Sequence, residues 1–326
     1  MKINKNKPII IVAGEPYSVF SEIFFKCLEK RIKKKIKKPI LLIASSELIK
    51  SQMQKLNFKF KIKIIKKTGL ITHIDNNIIN IINVNFNFKK PFAKISKKSN
   101  PYLRNCFKIG LDLMQKKVGC ALINGPISKK NFLNKRFLGV TEYLASKNKK
   151  TNKVAMLIYN KNLSVSPITT HLPLKDVHKN ITQNKIFNNV KLIHSFYKEK
   201  FNINPKIAIT GLNPHCESNY NSSEEDRIII PAIKNLIKKN YKVKGPFSAD
   251  TIFLKDKLKE FDVIIGMYHD QVLTPIKTLF NFNAINITLG MPFLRISPDH
   301  GPNSSMLGKN LSNPQSLIEA LKFLDK

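Results

Sequence analysis

VIIGMYHDQVLTPIK, residues 263–277, opens as an apolar run, passes with no turn residue into a His-Asp pair, and carries a lysine at 277. A strand with one solvated face would alternate apolar and polar side chains. An unbroken run of Val, Ile and Met is instead read as a strand covered on both faces. The same kind of run recurs in PIIIVAG (8–14), PILLIAS (39–45), GCALING (119–125), VAMLIYN (154–160), KIAITGLN (206–213) and AINITLG (284–290). Between several of them lie stretches such as VFSEIFFKCLEKRIKKKI, KIFNNVKLIHSFYKEKF and SLIEALKFLDK, whose apolar residues recur at three and four. Strands alternating with amphipathic helices specify an α/β fold with a largely parallel sheet.

Residues 57–91 break the pattern. FKFKIKII and IINIINVNFNF alternate apolar with polar residues, which predicts a small antiparallel section or an edge ribbon. In SSEEDRIIIPAIKNLIKK, Ser222 or Ser223 is the expected N-cap, and Pro231 is expected to kink the helix. The 326 residues, 42% of them hydrophobic, suffice for two lobes. We place the first at 1–128 with 276–326, and the second at 129–275.

No apolar stretch approaches the roughly 18 residues of a membrane helix, and the apolar segment after the basic start is short for a signal peptide, so a cytoplasmic protein is expected. Cys27, Cys106, Cys120 and Cys216 form no metal-ligand spacing and read as reduced thiols. The formal charge of +36 raises the question of nucleic acid. Only five of the 57 basic residues are arginine, and the lysines are dispersed along the chain beside an excess of Asn and Ile. That is the mark of compositional drift and a solvated basic surface, which still attracts anionic substrates.

In an open α/β sheet, ligands bind beyond the carboxyl ends of the strands. Three of the seven histidines stand at such ends: His171 after SPITT, His215 after IAITGLNP, and His269 after VIIGMY. They admit two readings, separate structural residues or a shared divalent-metal site with an open fourth position. His73, His178 and His194 lack that context, and His300 is left unassigned. Asp250 and Asp270 can orient ligands or assist proton transfer; Lys277, Asn286 and Arg295 can bind carboxylate and phosphate. Each also has a plain alternative: a helix cap for Asp250, a solvated helix face for Lys277, a surface ion pair for Arg295.

GLNPH (211–215), THLPLKDV (170–177), SADTIF (248–253), MYHDQ (267–271), Lys277 and NITLGMPFLRISPDHG (286–301) resemble, in order, the signature segments of the 4-hydroxythreonine-4-phosphate dehydrogenase family of vitamin B6 biosynthesis. The resemblance extends back to GEP (14–16) and NGPISK (124–129). It implies a two-lobed α/β/α fold like that of isocitrate and isopropylmalate dehydrogenases, and a homodimer with interfacial active sites to which the second lobe contributes. The implied activity is oxidation of 4-phosphooxy-L-threonine by NAD or NADP, then decarboxylation to 3-amino-2-oxopropyl phosphate. His171, His215 and His269 would hold one divalent ion (Zn, Mg or Co), with Thr141, Lys277, Asn286 and Arg295 on the substrate; the catalytic roles expected of Asp250, Asp270 and Lys277 rest on the reading of those residues themselves.

The chain also departs from the family. GVTEYLA has Val140 where the family has histidine, CESNYNSSEE after GLNPH lacks glycine, PYSVFSE replaces a glycine-rich segment, and Pro302 follows DHG in place of threonine. Two rivals follow: a paralogue acting on phosphorylated threonate or erythronate, and a non-catalytic phosphate-ligand-binding relative. No Gly-x-Gly-x-x-Gly fingerprint occurs, in keeping with a family that does not use the Rossmann mode.

Overall fold

The computed structural model describes residues 7–33, 37–66, 74–75, 77–133, 137, 139–147, 154–217, 222–281, 283–298 and 301–325. His73 and His300 lie outside them. In chain order the elements are β1 (Ile9–Val12), α1 (Phe20–Lys33), β2 (Ile40–Ala44), α2 (Ser46–Lys55), β3 (Ile62–Ile64), β4 (Ile79–Asn83), α3 (Asn100–Gln115), β5 (Ala121–Asn124) and α4 (Val140–Lys147). There follow β6 (Ala155–Tyr159), β7 (Ser164–Thr169), α5 (Leu174–Val177), α6 (Gln183–Phe201), β8 (Ile207–Thr210), α7 (Ile230–Lys238), β9 (Val243–Phe247) and α8 (Lys255–Leu258). The chain ends with β10 (Val263–Tyr268), α9 (His269–Phe280), β11 (Ile285–Leu289), β12 (Arg295–Pro298) and α10 (Gln315–Asp325).

Two compact units result. A terminal unit joins Ile3–Tyr143 to Pro292–Lys326, and a central unit holds Leu144–Met291. The units therefore divide at 143/144 and 291/292, against 128/129 and 275/276 read from the sequence. Packing accounts for both differences. Phe132 and Tyr143 lie against Phe107 of α3, with ring centroids 6.0 and 5.7 Å away, which keeps the segment before 143 with the terminal unit. Helix α9 packs on β7 and β10, which holds residues after 275 in the central unit.

In the terminal unit the strand order is β3-β4-β2-β1-β5-β12, and every described pairing is parallel. Strand β1 lies in the middle with all four side chains at 0% exposure, as its unbroken apolar run requires. The expected antiparallel section is corrected here, because β4 pairs in parallel with both β2 and β3. Alternation misled because Asn80, though polar, is buried, its amide donating to the carbonyls of Asp75 (2.7 Å) and Ile78 (3.2 Å). Phe58 and Phe60 stack on Phe25 of α1 and do not line a ribbon. Only the edge position of β3 survives from that reading.

In the central unit the order is β11-β6-β7-β10-β8-β9. Strand β6 runs antiparallel to both neighbours, whereas β7, β10, β8 and β9 are mutually parallel. Thr182 caps α6 by accepting from Lys185 N at 3.2 Å, and Asn202 closes that helix in the left-handed region. Ser223 caps the helix after GLNPH as expected, its hydroxyl accepting from Asp226 N at 3.1 Å. Pro231 falls inside this continuous helix at a change of type: a π-helical turn, Glu225–Ile229, runs directly into α7, whose first turn holds the proline. No described helix is long and apolar enough to cross a membrane.

Candidate active site

The strand order of the central unit arranges what the sequence could only suggest. Strands β7, β10 and β8 are consecutive and parallel, and their carboxyl ends lead to His171, His269 and His215 respectively. His171 and His269 come together, with ring centroids 5.9 Å apart. His269 is the first residue of α9, and its Nδ1 lies 2.6 Å from Asp270 Oδ1. A carboxylate only accepts, so Nδ1 carries a hydrogen, and in the neutral ring Nε2 presents its lone pair as a metal ligand would. Beneath the pair, the Thr169 hydroxyl donates to the carbonyl of Met267 at 2.7 Å, tying the ends of β7 and β10 together.

His215 is exposed, in a loop where it adopts φ +56°. Neutral imidazoles suit a divalent ion, and His171 and His269 form a fitting pair of donors. Among the described residues, however, no group of three or more His, Cys, Asp or Glu side chains is set to hold a metal within one chain. Asp250 is exposed in the turn after β9 and does not cap α8, whose N-cap is Leu254. Lys277 is exposed in the last turn of α9. Asn286 lies on β11, and its side-chain oxygen is buried with no hydrogen-bond partner among the described residues. His178 is exposed, and His194 packs edge-on against Tyr241.

The terminal unit holds a cluster of its own. Arg295 is not a surface residue; only 2% of it is exposed at the start of β12. Its Nε donates to Asn124 Oδ1 at the end of β5 (2.9 Å) and its Nη1 to Thr141 Oγ1 (3.1 Å). Burial pulls the guanidinium down to about 10 while Glu142 pushes it back up, so it remains a cation at neutral pH. Because the Thr141 oxygen accepts from Arg295, its own hydrogen is left for another acceptor.

Glu15, between β1 and α1, is not a residue the sequence singles out beyond its place in GEP. Its carboxyl is buried, and Ser99 Oγ lies 2.7 Å from Oε1 and 2.8 Å from the carbonyl of Ser96. A hydroxyl has one hydrogen. The Ser99 hydroxyl shares it between Glu15 Oε1 and the Ser96 carbonyl, so neither contact is a full hydrogen bond. Burial pushes this carboxyl up to about 7, against the Ser99 hydrogen bond that lowers it. The folded protein therefore binds a proton that the unfolded chain has already released, and stability falls as pH rises from about 4.5 to about 7. The loss is about 3 kcal/mol. Glu15→Gln is expected to remove this slope, which the difference between its urea unfolding free energy and that of the native protein, taken across that pH range, will show.

The family model for "Pyridoxal phosphate biosynthetic protein PdxA" matches residues 35–324. A 4-hydroxythreonine-4-phosphate dehydrogenase of Sulfurihydrogenibium sp. (strain YO3AOP1) is 40% identical over 319 residues, 97% of this chain and 96% of that protein. The enzyme of the same name from Aquifex aeolicus (strain VF5) is 34% identical over 329 residues, covering 98% of each. Among solved structures, the 4-hydroxythreonine-4-phosphate dehydrogenase from Klebsiella pneumoniae superposes with a TM-score of 0.84 at 25% identity, over 98% of both chains.

Proposed function

We propose a function from one premise: the chain belongs to the PdxA family of pyridoxal phosphate biosynthetic proteins. It is an oxidoreductase of vitamin B6 biosynthesis, a 4-hydroxythreonine-4-phosphate dehydrogenase. Its reaction oxidises the C3 hydroxyl of 4-phosphooxy-L-threonine, after which the β-keto acid loses CO2 to leave 3-amino-2-oxopropyl phosphate. When bound, the nicotinamide would supply the hydride acceptor, and a divalent ion would acidify the hydroxyl and stabilise negative charge as CO2 departs. His171, His215 and His269 would hold that ion. Asp270 fixes the tautomer of His269.

The remaining residues act through charge and hydrogen bonding. Arg295 offers a preorganised cation to the phosphate or carboxylate, held by Asn124 and Thr141 so that little side-chain entropy is lost on binding. Thr141 donates its hydroxyl hydrogen to the same anionic substrate. Lys277 adds charge, and the Asn286 oxygen supplies an acceptor for a substrate hydroxyl or ammonium. Asp250 and Asp270 assist proton transfer.

The chain acts as a homodimer whose interface completes each site. Two observations support this reading: among the described residues of one chain His171 and His269 come together while no group of three metal-binding side chains forms, and Leu174 and Leu254, in the segments after β7 and β9, are 70% and 58% exposed.

The observation that carries the function is the His171–His269 pair at neighbouring parallel strand ends, with Asp270 on the outer ring nitrogen. Purified protein given 4-phosphooxy-threonine, NAD or NADP, and Zn2+, Mg2+ or Co2+ in turn should reduce the nicotinamide, read at its near-ultraviolet absorbance. No reduction with any combination, though substrate binds, would favour the non-catalytic reading.

Val140 favours one rival, a dehydrogenase for a phosphorylated threonate or erythronate, since an isopropyl group cannot form the hydrogen bond a histidine can. If the pocket keeps the amino-acid substrate, Val140→His is expected to raise kcat/KM by about tenfold, the worth of one neutral hydrogen bond of about 1.5 kcal/mol. Metal content should be unchanged. A fall in kcat/KM would mean that the pocket is built around the valine.

A further inference from the structure

We propose that Glu225 and Gln271 are positioning residues, whose joint hold on the loop after β8 sets where His215 stands. The inference rests on the ligand role given to His215 above. Three consecutive residues of that loop, Gly211, Leu212 and Asn213, are bonded by these two side chains immediately before Pro214 and His215.

Gln271 lies in the first turn of α9 and is 8% exposed. Its Oε1 accepts from Met267 N (2.6 Å) and from the Thr210 hydroxyl (2.9 Å), while its Nε2 donates to the carbonyl of Gly211 (2.9 Å). One amide thus joins the last turn of backbone in β10 to the end of β8. Glu225 approaches from the π-helical turn. Its Oε1 accepts from Leu212 N (2.7 Å) and Asn213 N (2.9 Å), and its Oε2 from Asn213 Nδ2 (2.8 Å). Burial raises the Glu225 carboxyl, but hydrogen bonds from Asn213 and Leu212 outweigh it and hold the group below its ordinary range, so it is ionised at neutral pH.

Two glycines make room for these clamps. A Cβ at Gly211 would lie 2.9 Å from Glu225 Oε1, and one at Gly266 would lie 2.9 Å from Gln271 Oε1. The loop also needs holding, because His215 and Cys216 adopt φ +56° and +61° in succession, each in a region that is unfavourable for a side chain bearing Cβ. A loop released from Glu225 and Gln271 would relax toward ordinary backbone and carry the imidazole away. The bonds from Glu225 and Gln271 act on a loop that also carries Cys216 N on the Asn213 carbonyl (3.2 Å) and Asn213 Nδ2 on Glu224 Oε2 (3.2 Å), while the His215 residue itself is exposed.

Full-length protein, stripped of metal and titrated with Co2+ alone by calorimetry, tests the assignment, with amide hydrogen exchange at Leu212 and Asn213 followed in the metal-free state. Glu225→Ala is expected to weaken cobalt binding tenfold to a hundredfold and to unprotect both amides, while turnover recovers at saturating cobalt. Glu225→Gln keeps an oxygen for the two backbone N–H groups, and the Asn213 amide can turn its own oxygen to the new Nε2; cobalt affinity should stay within threefold of native. Should Glu225→Ala fail to fold, Gln271→Met removes the other clamp at nearly constant volume and should also lower cobalt affinity at least tenfold. A folded variant lacking either clamp yet binding cobalt within twofold of native overturns the proposal. If native protein binds no cobalt, the ligand reading of His215 fails instead; the clamp is then decided by the amides, and unchanged protection at Leu212 and Asn213 in Glu225→Ala overturns it.

Discussion

His269→Ala is expected to lower turnover by about a thousandfold or more and to release most of the bound metal, while the protein stays folded. On the proposed reading His269 would act through both ring nitrogens, with Nδ1 on Asp270 and Nε2 available to the ion. It is only partly buried at the first position of α9, where the backbone N–H has no partner within the helix in any case, so alanine should cost stability about 1 kcal/mol or less. Loss of function without loss of fold is the signature to look for. His171→Ala and His215→Ala should behave alike. Elemental analysis decides it, since stoichiometric metal retained in two of the three single variants would refute a shared site.

Arg295 gives the second large effect, and burial changes how it should be tested. At the surface, Arg295→Ala would report on substrate binding alone. In its buried position the alanine also leaves Asn124 Oδ1 and Thr141 Oγ1 without their donor and removes the cation beside Glu142. That should destabilise the terminal unit by about 2 to 4 kcal/mol, enough to obscure a binding defect. Arg295→Lys keeps the charge and loses the planar fork. It is expected to raise the substrate KM roughly tenfold to a hundredfold, with the KM for the nicotinamide changed less than threefold. Equal loss of affinity for both, together with a lowered unfolding midpoint, would mean that Arg295 holds the unit together and does not read the substrate.

The α/β class was legible because buried parallel strands write themselves as unbroken apolar runs, and VIIGMY, IAIT and IIIV each became a strand of that kind. The histidines were legible one at a time. Their neighbourhood was not, because adjacency of β7, β10 and β8 is set by sheet order, and nothing local records that β10 inserts between strands formed earlier in the chain. Parallel pairing of β3 and β4 was missed for a related reason: Asn80 and the lysines of FKFKIKII give a two-residue alternation whether or not both faces are covered. Gln271 and Glu225 carried no signal, since a glutamine after His-Asp and a glutamate in a helix's first turn are ordinary residues until their partners are known. Arg295 misled in the opposite sense. A cation is expected outside, and only its place in FLRIS, ahead of a short apolar strand, hinted that it is buried.

The terminal unit is assembled from two distant stretches, and this has a consequence for how the protein is made. Strand β12 completes the sheet beside β5, while α10 packs on α1 and β12. Lys26 Nζ donates to the carbonyls of Asn310 and Ser312, and Asp325 accepts from Lys38 N. On the ribosome, β1 to β5 emerge long before those partners exist, and until synthesis passes residue 298 the flank of β5 remains an open edge. The central unit is contiguous, and all six of its strands are out once residue 289 has cleared the exit tunnel. The middle of the chain is thus able to fold while the N-terminal part waits with an unpaired strand, the interval in which a nascent chain is most exposed to edge-to-edge association and most in need of a chaperone.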